Sequence, residues 1–531
     1  MRKRQQLLVT ALSTAAILLA LLISTRLWFR LDLTKNKAYT ISRVSGDLYK
    51  EIPDQVRITY YLSDRLAQAH PLPAEIEDLL REYAAHSRGK IRYTRRDPVK
   101  AGLLQAVEQM GIIPQQIQTV ERDEATVATV FTGVAIEYLD RLEVLPVVFS
   151  LDSLEYDLSS RIRSLIRGTE RELGVIVGDA SKQWVSDYGF LNQNLAQAGF
   201  RVRTIIPGDE IPDSLPSLFV LGGAENLDHW SLYRIDRYIR GGGRALFALD
   251  SVFVDVQGGL NARLMEDQGL LAMVSFYGAT VKPALALDRA ALTVPFQSVS
   301  RTGSMQIRMV RYPHWIGIQS QFANPNHPLT ARFGGVDLYW PSPIDLAPPQ
   351  GVEGEVLFST TPEAWLMTGD FNTNPDMASL FDREAADTGG EKAMAVSLTG
   401  IFPSWFANLP KPVREGSAEE LPDMPGSPKP SRIIVVGDTD MAGMLMQVTR
   451  GEERNLDFLL VAADWLGNDD DIIGIRNRQS RQARLDRIPD MEKRAAAMVF
   501  SRALNVVFIP LLVVFAGVLL ALKRRRNTHD L

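Results

Sequence analysis

The 531-residue sequence contains no cysteine. Disulfides, thiolate metal sites and cysteine nucleophiles are therefore excluded, whatever the compartment. No GxxxxGK(S/T) phosphate loop occurs, so the chain does not supply an ATPase of its own. No GxSxG nucleophile elbow and no HExxH zinc motif is present. Gly241-Gly242-Gly243 precedes a strand rather than following one, so it reads as a helix C-cap and not as a dinucleotide fingerprint. The six histidines (His70, His86, His229, His314, His327 and His529) are scattered, which argues against a histidine-built metal site. The net charge of −5 carries no nucleic-acid footprint. Between residues 30 and 502 no apolar run has spanning length, and only the two ends differ.

Residues 7–23 are uncharged and almost wholly apolar, preceded by Arg2, Lys3 and Arg4. Residues 503–522 form a second uncharged run, followed by Lys523, Arg524, Arg525 and Arg526. Roughly 20 apolar residues suffice to cross a bilayer. The first run could instead be a cleaved signal peptide, but residues 23–29 offer no small-x-small cleavage site, which favours a retained anchor. Basic clusters mark the cytoplasmic flank. The expectation is two spans in the bacterial cytoplasmic membrane, both termini cytoplasmic, and the bulk of the chain outside.

Between the anchors the pattern is α/β. Residues 1–30 form the first anchor. Residues 31–150 form a membrane-proximal segment, with Thr40 or Ser42 capping a helix that Pro53 stops, and then a small β-α-β-α-β-β unit of thioredoxin-like order. Its helices are expected at 73–89 and 99–110, and its strands at 56–62, 90–95, 116–121, 126–138 and 141–148. Without cysteine it has no redox role. A helix with Leu154, Leu158, Ile162 and Leu165 on one face links it, over 151–170, to a large α/β unit at 171–478. There, short buried strands at 174–177, 202–206, 218–221, 245–249 and 433–436 alternate with helix-period segments, the mark of a parallel sheet. A helix is expected over 260–277, with a break near Gly269. Residues 370–391 and 410–430, rich in Pro, Gly and charge, read as long exposed loops. A strand at 472–475, a polar stalk at 479–502 and the second anchor at 503–531 complete the order.

Ligand crevices in open parallel sheets lie beyond the carboxyl ends of the strands. Here those ends carry Asp179, Asp250, Asp438 and Asp440. Carboxylates there could bind a cation or sugar hydroxyls, and equally could close turns and cap helices. Asp179 lies near Trp184 and Tyr188, and an aromatic-acidic loop can stack on a sugar ring while its carboxylate takes hydroxyls. Asp469, Asp470 and Asp471 read as a solvated loop, with calcium as the alternative. No catalytic residue, resident metal or cofactor is expected.

Several stretches then carry a resemblance. LDLTKNKAYTIS after the first anchor, NPNHPLT, VLFSTTPEAW, AVSLTGIFPSWF, RIIVVGDTDMA and NLDFLLVAADWLGNDDDIIGIRNR occur in order along nearly the whole chain. Together they resemble the GldG-type proteins, gliding-motility-associated auxiliary subunits of ABC transporters. The resemblance implies a Rossmann-like or glutamine-amidotransferase-like large domain, and partners in a multispanning permease and a separate cytoplasmic ATPase. It transfers no catalytic residue, and gliding itself does not carry over. The resulting expectation is a non-enzymatic, membrane-anchored subunit recognising an extracytoplasmic glycan, lipid or protein. The alternatives are an anchored extracytoplasmic hydrolase or glycan-binding protein, or a purely structural envelope protein.

Overall fold

Ser42 starts the first described helix, Arg43–Glu51, by accepting a hydrogen bond from Ser45 N at 3.0 Å. The computed structural model describes residues 41–467 except 122–123, 150, 152–153, 169–170, 257, 300–304, 332, 378–388, 415–419 and 450–451. Among these residues no helix is long and apolar enough to cross a membrane. The apolar runs at 7–23 and 503–522, the aspartates at 469–471, the expected strand at 472–475 and the stalk lie outside the described residues.

The first sheet contains β1 (Val56–Leu62), β2 (Ile91–Arg96), β5 (Thr132–Tyr138) and β6 (Arg141–Leu145) in spatial order β2-β1-β5-β6. β1 and β2 are parallel; β5 is antiparallel to both β1 and β6. Its core comes from the helix Leu72–His86, through Ile76, Leu80 and Tyr83, and from the helix Leu154–Arg167, through Leu158 and Ile162. Glu155, at the start of that second helix, accepts from Ser42 N and Ser45 Oγ, both at 2.7 Å, and so holds the helix Arg43–Glu51 in place.

Two expectations change here. The single strand expected at 126–138 is two strands, because β4 (Glu124–Val130) pairs with β3 (Gln115–Glu121) in a separate ribbon. The partner switches at Phe131, whose N donates to Ser63 Oγ and whose carbonyl accepts from Ser63 N. The helix expected at 99–110 shortens to Leu104–Gln109. Asp97 Oδ1 draws Val99 N and Lys100 N into a turn, and Gly102 breaks the helix at φ +66°.

The second sheet has the order β19-β21-β22-β10-β9-β7-β8. β7 (Glu172–Val177), β8 (Arg201–Thr204), β9 (Ser217–Leu221), β10 (Arg244–Ala248) and β22 (Ser431–Val436) run parallel. β19 (Val352–Ser359) and β21 (Ala393–Gly400) extend it antiparallel. The continuous apolar runs follow from burial on both faces. Phe219, Leu221, Leu246, Ala248, Ile434 and Val436 pack with the helices Gly189–Gln197 and Glu452–Gly467. Their neighbours Leu218, Val220, Ala245, Phe247, Ile433 and Val435 pack oppositely, with the helices His229–Arg240 and Leu270–Tyr277. The chain is mixed α/β, as its pattern of strands and helices requires.

Between β10 and β22 the chain makes smaller pieces. β11 (Val252–Asp255) pairs with β12 (Asn261–Leu264), so the expected helix at 260–277 is a strand followed, past Gly269 at φ +117°, by a helix only over Leu270–Tyr277. Leu260 at φ +62° makes the turn that sends residues 261–264 back along β11. β13 (Ala279–Val281) pairs with β18 (Ile344–Leu346), and β14 (Leu285–Leu287) with β20 (Trp365–Met367). β15 (Ala291–Val299) and β16 (Met305–Ile318) form a long ribbon, joined at its base by β17 (Val336–Tyr339).

The segment 410–430 is not a freely exposed loop. Leu421 is buried. Tyr233 Oη donates to Pro422 O at 2.9 Å, Arg240 Nε to Pro425 O at 2.9 Å, and Lys429 N to Arg240 O at 3.0 Å. Prolines leave a segment short of its own N–H donors, and here the helix His229–Arg240 satisfies the carbonyls.

Candidate functional site

β8 lies on one side of β7 and β9 on the other, so the crossover direction reverses at the carboxyl end of β7, where crevices form in such sheets. The backbone there is closely pressed. A Cβ on Gly178 would sit 2.5 Å from Gly222 O, and one on Gly437 only 1.8 Å from Ser342 O. A Cβ on Gly222 would meet Thr439 at 3.5 Å and Asp179 at 3.8 Å, so three strand-end loops converge.

The aspartates that the sequence singles out separate into distinct roles. Asp179 Oδ1 accepts from Ser181 N at 2.9 Å and Ser181 Oγ at 2.7 Å, closing its own loop. Asp438 is fully buried and accepts from Tyr339 N (2.6 Å), Asp440 N (2.8 Å) and Met441 N (3.2 Å). Asp440 pairs with Lys182 Nζ at 2.7 Å, both side chains about one quarter exposed (26 % and 28 %). Asp250, partly buried, has the Thr439 amide as its hydrogen-bond donor, at 3.2 and 3.3 Å from its two oxygens.

Burial and then the Asp440 charge push the Asp250 carboxyl up to about 7. Burial also drives Asp438 well above the carboxylate range, with Asp250 and Asp440 adding to it. Three N–H donors favour an ionised Asp438, whereas a single long one serves Asp250. Burial favours the protonated form of both carboxyls, which titrate as a coupled group. Burial alone would lower the Lys182 ammonium, but Asp440 outweighs it and holds Lys182 above its ordinary value.

Trp184 and Tyr188 do not flank an open loop. Both are buried, and their rings stack on each other at 5.9 Å and 22°, so the platform expected for a sugar is occupied internally. The Tyr188 hydroxyl is buried without a hydrogen-bond partner and lies within the fields of Lys182, Asp440, Asp179 and Asp250. The carboxyls of Asp179, Asp250 and Asp440, acting on Tyr188 together with the Lys182 ammonium, suit a ligand rich in hydroxyls or carrying positive charge. Among the described residues no group of three His, Cys, Asp or Glu has a geometry that could hold a metal ion.

Sequence reasoning missed Lys182 and Thr439. Lys182 shares the loop of Asp179, and Thr439 stands between the two later aspartates, so proximity in sequence was the available signal. It also missed a buried pair, His327 Nε2 and Ser397 Oγ at 3.0 Å. Leu329 N donates to His327 Nδ1 at 3.2 Å, which leaves the ring proton on Nε2, pointing at the serine. His327 thus donates to Ser397, the reverse of a base activating a nucleophile. Burial pushes His327 down to about 4.

The family model described as an ABC-type uncharacterized transport system, the GldG-like auxiliary component, matches residues 170–468, more than half of the chain. The chain belongs to this family. The matched residues contain all five parallel strands and every aspartate of the strand-end site. A domain of unknown function matches residues 35–137 of this ABC-transport auxiliary component. An uncharacterized protein of Borreliella burgdorferi is 23% identical over 505 residues, covering 94% of each chain. A ThuA-like protein from Parabacteroides merdae aligns with 54% of this chain and 89% of its own at 12% identity, with a TM-score of 0.24, and carries no argument.

Proposed function

We propose that this auxiliary component is a non-enzymatic subunit that recognises a hydroxyl-rich or cationic ligand outside the cytoplasm for an ABC transporter. The observation that carries the reading is the strand-end site. Its groups offer hydrogen bonds and charge to a ligand: the Lys182–Asp440 pair, the partly buried Asp250 carboxyl and the Tyr188 hydroxyl. Membership of a transport auxiliary family supports partners in a multispanning permease and a separate ATPase. The apolar runs at 7–23 and 503–522 with their basic flanks support two anchors in the bacterial cytoplasmic membrane. The order β2-β1-β5-β6 supports a thioredoxin-like unit used for docking, and the five parallel strands support a Rossmann-like unit that carries the ligand site.

The test is purification of tagged full-length protein from its native membrane in mild detergent, with identification of what accompanies it. Stoichiometric permease and ATPase are the expected outcome. A solitary protein after gentle crosslinking refutes the transporter reading, and release of the chain from membranes by alkaline carbonate refutes the anchors.

A further inference from the structure

A cavity lies far from the strand-end aspartates in sequence and has the opposite charge. It measures about 730 Å³, within the range of small-molecule sites, and opens beside the β15–β16 ribbon. Arg289, Arg308 and Arg311 line it, against Asp288 and Asp376. Both carboxylates are engaged. Asp288 accepts from Thr361 N, Thr361 Oγ1 and Ala290 N, all within 2.9 Å, and Asp376 pairs with Arg308. The Arg311 guanidinium donates to the Arg289 carbonyl, and among the described residues no carboxylate pairs with it.

Strand alternation adds an apolar track. Met305, Ile307, Met309 and Arg311 fall on one face of β16, and the first three are 75%, 71% and 61% exposed. At the pairing register, Pro295 lies across from Met309 and Thr293 across from Arg311. The six strand steps from Met305 to Arg311 make this track about 20 Å long. It runs from solvent-facing methionine and isoleucine to a cation at the inner end, where Met309 and Arg311 both line the cavity. Large apolar side chains exposed in a row call for a covering partner, and a guanidinium lacking a carboxylate suits a phosphate oxygen.

We propose that this ribbon and cavity bind one anionic lipid, its phosphate head on Arg311 and its acyl chain along Met309, Ile307 and Met305. The site is independent of the strand-end site and of the ligand proposed there.

The experiment uses full-length protein in dodecyl maltoside and phosphatidic acid carrying a photoactivatable acyl chain, with diacylglycerol bearing the same chain as the neutral probe. Crosslinked peptides are mapped by mass spectrometry. Crosslinks from phosphatidic acid should fall on residues 305–311 and should drop at least tenfold in Arg311→Gln and in Met309→Glu. Arg311→Lys should recover part of the loss, which separates head-group binding from misfolding. Equal labelling by diacylglycerol, crosslinks mapping elsewhere, or an unchanged yield in Arg311→Gln would each overturn the proposal. Abolition of labelling by an equal concentration of inorganic phosphate would also overturn it, by identifying a free-anion site.

Discussion

Replacing Asp250 by asparagine should stabilise the chain, and only above mildly acidic pH. The folded Asp250 carboxyl titrates near 7 against an ordinary 3.8. Between those values the folded chain holds a proton that the unfolded chain has lost, so stability falls as pH rises from about 4 to about 7 and is level beyond. At about 1.4 kcal/mol per pH unit, the gap of about three units amounts to at most about 4 kcal/mol. Coupling to Asp438 and Asp440 broadens the slope without changing its sign. Asparagine stands in for the protonated carboxyl, so it should be near neutral at pH 4.5 and stabilising at pH 8. The assay is thermal unfolding of full-length wild type and Asp250→Asn at several pH values, read as the difference in midpoint. A gain on the order of 5 °C at pH 8, vanishing toward pH 4.5, is expected. An equal shift at both pH values, or a loss at pH 8, would refute the raised folded value of Asp250.

Tyr188→Phe removes a buried hydroxyl that has no partner, so it should cost nothing or stabilise by up to about 1 kcal/mol in urea unfolding, while weakening any ligand of the strand-end site. Gly437→Ala would drive a methyl group into Ser342 O; the expected result is loss of at least about 3 kcal/mol or failure to fold, seen as insoluble expression. His327 should remain neutral down to about pH 4, so its ring resonances in selectively labelled protein should not titrate between pH 7 and 5. Because its folded value lies below its ordinary 6.5, it contributes stability that is lost as pH falls from about 6.5 toward 4.

The inner parallel strands β7, β9, β10 and β22 were legible because consecutive residues of each go to opposite covered faces, leaving unbroken apolar runs such as residues 433–436. The cap at Ser42, one of two candidates with Thr40, was legible for local reasons. The partner switch at Phe131 was not, since the alternation of β4 continues into β5 and only Ser63, distant in sequence, marks the break. Residues 261–264 read as helix because four residues are too few to fix a period. At the site, the aspartates were visible from their strand-end positions. That Tyr339 N engages Asp438 depended on segments far apart in sequence, whereas the stacking of Trp184 on Tyr188 joins residues four apart and is local. The pairing of Lys182 with Asp440 spans the whole large unit and had no counterpart in local pattern.

The position of β22 has a consequence for biosynthesis. β10 ends at Ala248, and its sheet neighbour β22 does not begin until Ser431. At ribosomal speeds of about 5–20 residues per second, the apolar edge of β10 waits on the order of ten seconds or more for its partner. Throughout that interval the nascent chain carries an unpaired, hydrophobic strand edge able to template association with other chains. Production of the protein should therefore depend on chaperones that shield that edge, and chains truncated between β10 and β22 should aggregate rather than accumulate as folded fragments.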